Sequence, residues 1–181
     1  MTNLLSNVKE ILLAPAELSE KQIESLFNII LKNQVDDADI YFQSCRHESW
    51  LFEDGLIKEV GYDIDSGVGI RALSGEKTGF AYSDEIVLPA LIESAKAVSS
   101  ISRQGGDHKI QAWKNRAVTP LYQASNPIIS LTEDEKILLL KDLNEEARKQ
   151  DPHVTQVIVN LNGVHETVLV MRSNGEIAAD I

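Results

Sequence analysis

The 181-residue chain has a net charge of −11, and this acidity argues against a protein that binds nucleic-acid phosphates through a basic face. Its single cysteine excludes an internal disulfide framework and fits a reducing compartment. The longest apolar runs are far too short to span a bilayer, and no signal-type run opens the sequence. Because 43% of the residues are hydrophobic, the chain can bury a core, and we expect a soluble, cytosolic protein.

Two helices are predicted at the start of the chain. Apolar residues recur at helical spacing from Leu4 to Leu12, and Pro15 ends this first helix. A second helix is predicted to start at Ser19, because Gln22 occupies the position that completes a capping box. Its apolar face consists of Ile23, Leu26, Phe27, Ile30 and Leu31.

The apolar pattern then changes to a period of two, which is typical of β-strands. Asp54-Gly55 is the strongest hairpin signal between these strands, since both residue types tolerate a positive φ angle. Short links between successive strands favour an antiparallel meander that is open to water on one side. The predicted strands are 40–44, 47–53, 56–63, 68–73 and 78–82.

The second part of the chain has a similar order of elements. A helix is predicted at 85–101, and the segment 102–130 that follows shows no periodicity, so it is either a functional flap or a strap across the surface. Thr132 and Glu135 are placed to cap a long helix that runs to about residue 150. Three more strands are predicted to begin at Val154, Val164 and Glu176, with Asn174-Gly175 as a second hairpin turn.

Two similar triplets, His47-Glu48-Ser49 and His165-Glu166-Thr167, occupy matching places in the two halves of this pattern. We therefore predict an α+β fold with a weak internal pseudo-repeat. It would have two units of helix plus antiparallel sheet, at about 1–101 and 131–181, joined by the irregular segment 102–130. The chain ends on an apolar strand, so we expect residues 1–181 to be a fragment of a longer protein.

The glycine-rich stretch from Gly67 to Asp84 partly matches nucleotide-binding motifs. Gly67 and Gly69 fit a dinucleotide fingerprint, but that motif needs a helix directly after the glycines, and here a strand continues. A P-loop is excluded as well, since Glu76 separates Gly75 from Lys77 and would repel phosphate. We predict instead that these glycines occupy hairpin and bulge positions.

Three blocks of the sequence resemble the N-terminal part of proteins in the TldD/PmbA metallopeptidase family, and of its TldD branch in particular. The blocks are "YFQSCRHESWLFEDGLIKE", "GVGIRALSGEKTGFAYSD" and "EEARKQDPHVTQV". The resemblance implies a cytosolic, zinc-dependent peptidase that works as an assembly with a related PmbA/TldE-type subunit or with itself. It also implies that residues 1–181 are a single N-terminal domain, which helps to wall a cleft that admits unfolded peptide.

The resemblance places the zinc motif, HExxxH plus a distant cysteine, in the C-terminal half of such proteins. Neither His47 nor His165 is followed by a second histidine at the required spacing. Both also lie in predicted strands, where a residue four positions along is about 13 Å away. Cys45 is expected to be a packed strand thiol. We therefore predict no metal ligand and no catalytic residue in this chain, and zinc only in the full-length protein.

Because we predict no catalytic residue, the expected role of the chain is to hold peptide, which can bind by adding a strand to an exposed sheet edge. Our candidates for substrate contact are Arg71, Lys77, Phe80 and Tyr82, although the two aromatic rings could instead be core or cross-strand packing. The main hypothesis is a non-catalytic part of a peptidase that forms cleft wall and subunit contacts. The alternative is a non-enzymatic peptide-binding or partner module, of the inactive-subunit or gyrase-modulator type. Direct binding of nucleic acid or membrane is not expected.

Overall fold

The computed structural model describes residues 4–33, 35–101, 113–115 and 125–181. The helices are α1 (Leu4–Leu12), α2 (Glu20–Ile30), α3 (Leu88–Ile101) and α4 (Glu133–Gln150). The strands are β1 (Asp37–Glu53), β2 (Leu56–Ser74), β3 (Lys77–Ser83), β4 (Lys114–Asn115), β5 (Ile158–Arg172) and β6 (Glu176–Asp180). In the described residues they form a six-stranded sheet in the order β3-β2-β1-β5-β6-β4. The predicted flap or strap falls mostly on 102–112 and 116–124, which lie outside the described residues.

The helix ends follow the capping signals of the sequence. At the start of α2, the Ser19 hydroxyl accepts a hydrogen bond from the Gln22 amide, and the Gln22 side chain accepts one from the Ser19 amide. Thr132 and Glu135 form the same reciprocal pair at the start of α4. Both predicted capping boxes are therefore confirmed. None of the helices in the described ranges has the length and apolar content that crossing a bilayer would require.

α3 begins at Leu88, three residues later than the periodicity predicts. Pro89 lies in its first turn, where a residue without a backbone N–H is tolerated because that group has no partner inside the helix. The residues before it form a turn, in which the Glu85 amide donates to the Ser83 hydroxyl.

The strands are fewer and longer than predicted. Segments 40–44 and 47–53 are one strand, β1, and segments 56–63 and 68–73 are one strand, β2. Val154 precedes a single strand, β5, which contains Val164. The predicted breaks were wrong because pairing with neighbouring strands keeps the backbone extended even where the apolar alternation lapses. The similarity between the two halves therefore has a different form from the predicted one: α2-β1-β2 and α4-β5-β6 each consist of a helix, a long strand, a short turn and a second strand.

The turns confirm the strongest hairpin signal and correct the prediction for two glycines. Asp54 and Gly55 both have positive φ angles, 48° and 86°, as the Asp-Gly turn requires. Gly67 and Gly69, predicted at hairpin or bulge positions, lie inside β2. The β2–β3 register continues from Val68↔Ser83 to Ser74↔Lys77 without an extra residue, so no bulge interrupts that stretch.

Contacts divide the chain into two units. Unit 1 comprises Met1–Ser44, Asp65–Gln123 and Thr167–Ile181, and unit 2 comprises Cys45–Ile64 and Ala124–Glu166. This division cuts across the predicted halves, 1–101 and 131–181, because β1, β2 and β5 each contribute residues to both units. The single N-terminal domain stays a prediction.

In unit 1, helices and strands enclose a large apolar core. The helices contribute Val8, Leu12, Ile23, Leu26, Phe27, Ile30, Leu91, Ala95 and Val98. The strands contribute Ile40, Phe42, Val68, Ile70, Ala72, Leu169, Met171 and Ile177. The β2–β3 and β5–β6 pairs are antiparallel, whereas the two-residue β4 pairs parallel to β6.

Unit 2 has a much smaller core. Trp50, Phe52 and Leu140 are buried in it, and Ile137, Val159 and Leu161 pack against them. Among the described residues, it therefore leaves more of its large apolar side chains exposed to solvent than unit 1 does.

Candidate functional site

The β2–β3 hairpin in unit 1 presents two aromatic rings to solvent. Arg71 is paired with Phe80 and Gly69 with Tyr82, and residues directly opposite each other share a face of the sheet. Phe80 is 60% exposed and Tyr82 is 76% exposed. The core-packing alternative is therefore wrong for both rings.

Phe80 nevertheless makes a cross-strand contact. Its ring lies over Gly69, where an added Cβ atom would be 3.3 Å from two ring carbons. The glycine thus makes room for an aromatic ring on the open face of the hairpin. No sequence signal distinguishes this role from the predicted bulge.

Arg71 completes the group on this face. Its Nε and Nη2 atoms donate to Asp39 Oδ2 at 2.9 and 2.5 Å, and about half of its side chain remains exposed. Lys77 is exposed too, but it pairs with Ser74 on the opposite face of the hairpin. The structure therefore brings together three of the four candidate contact residues, which we call the hairpin face: Arg71, Phe80 and Tyr82.

A second surface, which the sequence alone did not single out, is the β2 segment Leu56–Ile64 in unit 2, hereafter the open strand. All its residues are exposed except Gly61, which is half-buried. The described register of β3 on β2 begins only at Val68. Within the described residues, the open strand thus has one strand neighbour, β1, and a free outer edge. The backbone N–H and C=O groups at this outer edge, which no described strand covers, can receive another strand.

Unit 2 also contains a buried ionic cluster. Lys136 is 4% exposed, and its Nζ donates to both carboxylate oxygens of Glu48, at 2.8 and 2.7 Å, and to the Ile128 carbonyl at 2.7 Å. The same atom lies 5.9 Å from the centroid of the Trp50 ring. These contacts satisfy the ammonium group and tie α4 to β1, which is a structural role. Lys136 lies four residues before Leu140, on the buried side of α4. A charged residue at a buried position of the helical pattern is the sequence signal that indicates such a cluster.

The ionisable groups with shifted pKa values have structural explanations. Burial acts to raise the pKa of Asp37, but hydrogen bonds from Ser173 and Arg172 outweigh it and lower the pKa below its usual value. Burial, helped by the nearby Arg46 charge, lowers the pKa of His165. Neither group lies on the hairpin face or on the open strand.

The described residues do not fit a metal site. Among them, no three His, Cys, Asp or Glu side chains come together as a set that could hold a metal ion. Cys45 is buried, as expected for a packed thiol, and His47 and His165 lie within long strands.

Comparison with known proteins identifies the family. Residues 38–102 match the family model "PmbA/TldA metallopeptidase domain 1", and residues 126–181 match "PmbA/TldA metallopeptidase central domain". The chain belongs to the PmbA/TldD metallopeptidase family. The resemblance inferred from the sequence is confirmed.

Curated relatives within the PmbA/TldD family cover nearly the whole chain. A "Metalloprotease TldD homolog" of Haemophilus influenzae is 44% identical over 180 residues, which are 98% of this chain and 37% of the relative. A protein of the same name from Buchnera aphidicola (subsp. Acyrthosiphon pisum) is 37% identical over 96% of this chain and 36% of the relative. The chain thus spans little more than a third of the length of these relatives.

Solved structures with similar folds confirm the α+β class. A putative modulator of a DNA gyrase from Thermotoga maritima matches with a TM-score of 0.66 and 20% identity, over 89% of this chain and 36% of that one. TldE from Thermococcus kodakarensis matches with a TM-score of 0.62 and 16% identity, over 88% of this chain and 36% of that one. At these identities the likeness concerns the fold alone.

Proposed function

We infer that this chain is the N-terminal, non-catalytic part of a TldD-type metallopeptidase, and that it holds extended, unfolded polypeptide for hydrolysis. In this proposal the full-length protein is a cytoplasmic, zinc-dependent hydrolase whose metal ligands lie outside the described residues. The curated relatives named metalloproteases support the hydrolase assignment. The role proposed for the chain itself is binding, and it is consistent with the described residues, among which no group of three or more His, Cys, Asp or Glu could hold a metal ion.

The observation that carries this proposal is the open strand. A peptide that pairs with its free edge would be held mainly through main-chain hydrogen bonds, which every sequence can make. Such a site tolerates varied substrates but requires them to be extended, and hence unfolded.

The hairpin face is the proposed second contact surface. Phe80 and Tyr82 would cover apolar side chains of the substrate, and the exposed part of Arg71 retains N–H donors for peptide carbonyls. Lys77 remains a candidate for contact at the β2–β3 turn, on the other side of the hairpin.

N-methylated peptides test strand addition on the full-length protein. In a β-ladder alternate N–H groups point to opposite neighbours, so a peptide methylated at one parity keeps one edge for pairing and a peptide methylated at both parities keeps none. We expect the peptide methylated at both parities to lose binding by at least about tenfold, while a peptide methylated at one parity still binds through its free edge. Unchanged binding of the peptide methylated at both parities would refute strand addition.

A matched pair of protein variants tests whether the peptide binds at the outer edge of the open strand. Of Val60→Pro and Gly61→Pro, one removes an N–H directed to β1 and the other removes an N–H directed outward. The variant that keeps the wild-type circular dichroism spectrum should bind the unmethylated peptide more weakly. Wild-type affinity in a normally folded variant would place the peptide elsewhere.

Contacts with a second subunit are a further part of the proposal. Three apolar side chains of unit 2, Ile129, Leu138 and Leu143, are 77%, 59% and 47% exposed. The match to a protein titled TldE supports a related subunit as the partner, with a second copy of the chain as the other possibility. Analytical ultracentrifugation of the full-length protein with Leu138→Glu/Leu143→Glu tests this contact, since both charges should weaken association.

The alternative function is a non-enzymatic module that binds peptide or a partner subunit. The two functions predict different activities for the full-length protein with its metal: cleavage of an unfolded protein under the first, and binding without cleavage under the second. Gyrase modulation through direct contact with DNA is disfavoured by the net charge of −11.

A further inference from the structure

The open strand has two chemically different faces. Side chains alternate between the faces of a strand, so Leu56, Val60, Tyr62 and Ile64 share one face, and Ile57, Glu59 and Asp63 share the other. The four apolar side chains are 51–62% exposed, and Lys58 is the one charged residue of the open strand on the same face. Glu59 and Asp63 are exposed, and neither makes an ion pair with another described residue. One face is thus apolar and the other acidic, and both are open to solvent.

A strand that joins the free edge extends both faces at once. Its alternate side chains lie beside Val60 and Tyr62 on one face, and beside Glu59 and Asp63 on the other. Opposite charges across two adjacent strands attract, and like charges repel. The best complement is therefore a chain that alternates apolar residues with lysine or arginine.

We propose that the open strand selects extended polypeptide segments in which basic and apolar residues alternate. This inference rests on the proposed function, because it adds a sequence preference to the backbone pairing described there. The overall charge of −11 acts in the same direction, since it draws basic segments toward the protein.

The same charges argue against a second copy of the chain as the occupant. Two copies that pair edge to edge around a two-fold axis perpendicular to the sheet keep each face on its own side. The two acidic faces then lie side by side, and in the register centred on Gly61 the Glu59 side chain of one copy lies opposite Asp63 of the other, which is unfavourable. A basic partner strand meets no such repulsion.

Three labelled peptides test the preference by fluorescence anisotropy on the full-length protein. One alternates lysine and valine, one has the same composition in two blocks, and one alternates glutamate and valine. Mass spectrometry checks that each peptide stays intact during the measurement. We expect the lysine–valine alternation to bind about two- to thirtyfold more tightly than the blocked peptide, from two favourable cross-strand pairs, and the glutamate peptide to bind most weakly.

Protein variants assign this preference to the open strand. Glu59→Gln/Asp63→Asn should remove most of the advantage of the alternating lysine peptide. The control Glu93→Gln/Asp142→Asn removes the same net charge from exposed positions on α3 and α4 and should preserve it. Equal loss in both double variants would overturn the proposal, because it would show that bulk charge alone attracts the peptide.

The remaining outcomes separate this inference from the proposed function. If all three peptides bind equally and N-methylation at both parities still blocks binding, the charge preference is wrong and strand addition stands. If no peptide binds, both fail. If the full-length protein self-associates through the open strand and excludes the peptide, a second copy is the occupant and the proposal is overturned.

Discussion

Replacing Lys136 with methionine would test how much the buried ionic cluster contributes to unit 2. The substitution keeps the length of the side chain but removes the ammonium group, which donates to both Glu48 oxygens and to the Ile128 carbonyl. The Glu48 carboxylate would then be buried without its partner, since its side chain is only 13% exposed. Breaking a buried pair in this way costs about 3–5 kcal/mol. We expect Lys136→Met to lower the free energy of unfolding by this amount.

The double variant Lys136→Met/Glu48→Gln provides the control, because the neutral amide needs no counter-charge and can donate to the Ile128 carbonyl. It should be more stable than the single variant by about 1–3 kcal/mol. Urea unfolding, followed by circular dichroism, measures both values. A cost below about 1 kcal/mol for Lys136→Met, or a double variant that is no more stable than Lys136→Met, would refute the buried ion pair.

Two further predictions concern packing and pH. At Gly67 an added Cβ would lie 3.0 Å from the Ser83 carbonyl oxygen, whereas at Gly69 it meets only the mobile ring of Phe80. Gly67→Ala should therefore lower the free energy of unfolding by about 1–3 kcal/mol, and Gly69→Ala by less than about 1 kcal/mol, as measured by thermal unfolding. The reverse order would contradict the packing of β2 against β3 described here. Because the pKa of Asp37 is lowered from 3.8 by its hydrogen bonds, its contribution to stability is full above pH 3.8 and is lost as the pH falls further. The stability difference between wild type and Asp37→Asn should therefore be constant from pH 5 to 7 and shrink below pH 3.8, and a difference that persists unchanged at lower pH would contradict this assignment.

Local signals in the sequence identified the elements well. The capping boxes at Ser19 and Thr132 start α2 and α4, and the Asp54-Gly55 pair adopts the positive φ angles that its residue types favour. These features depend on a few neighbouring residues. The lengths of β1, β2 and β5 depend instead on pairing with distant strands, so the predicted breaks were wrong.

The exposure of the candidate surfaces could not be predicted, because it depends on which layers cover the sheet. The apolar alternation in Leu56–Ile64 is the same pattern that a buried strand face would show. Nothing local in the sequence indicates that its side chains are exposed to solvent in the part of the chain that the structure describes. The same applies to Phe80, which resembles a core residue but lies over Gly69 on the open face. The sequence nevertheless predicts Arg71, Phe80, Tyr82 and Lys77 as contacts, and the structure places the first three on the hairpin face and Lys77 on the opposite face. Their role in binding stays a prediction.

Amide hydrogen exchange on the full-length protein, with and without a saturating unfolded peptide, tests strand addition most directly. If the peptide pairs with the open strand, exchange should slow within Leu56–Ile64, most strongly at alternate amides whose N–H groups point outward. Exchange in that segment that is unchanged while the peptide is bound would contradict the account.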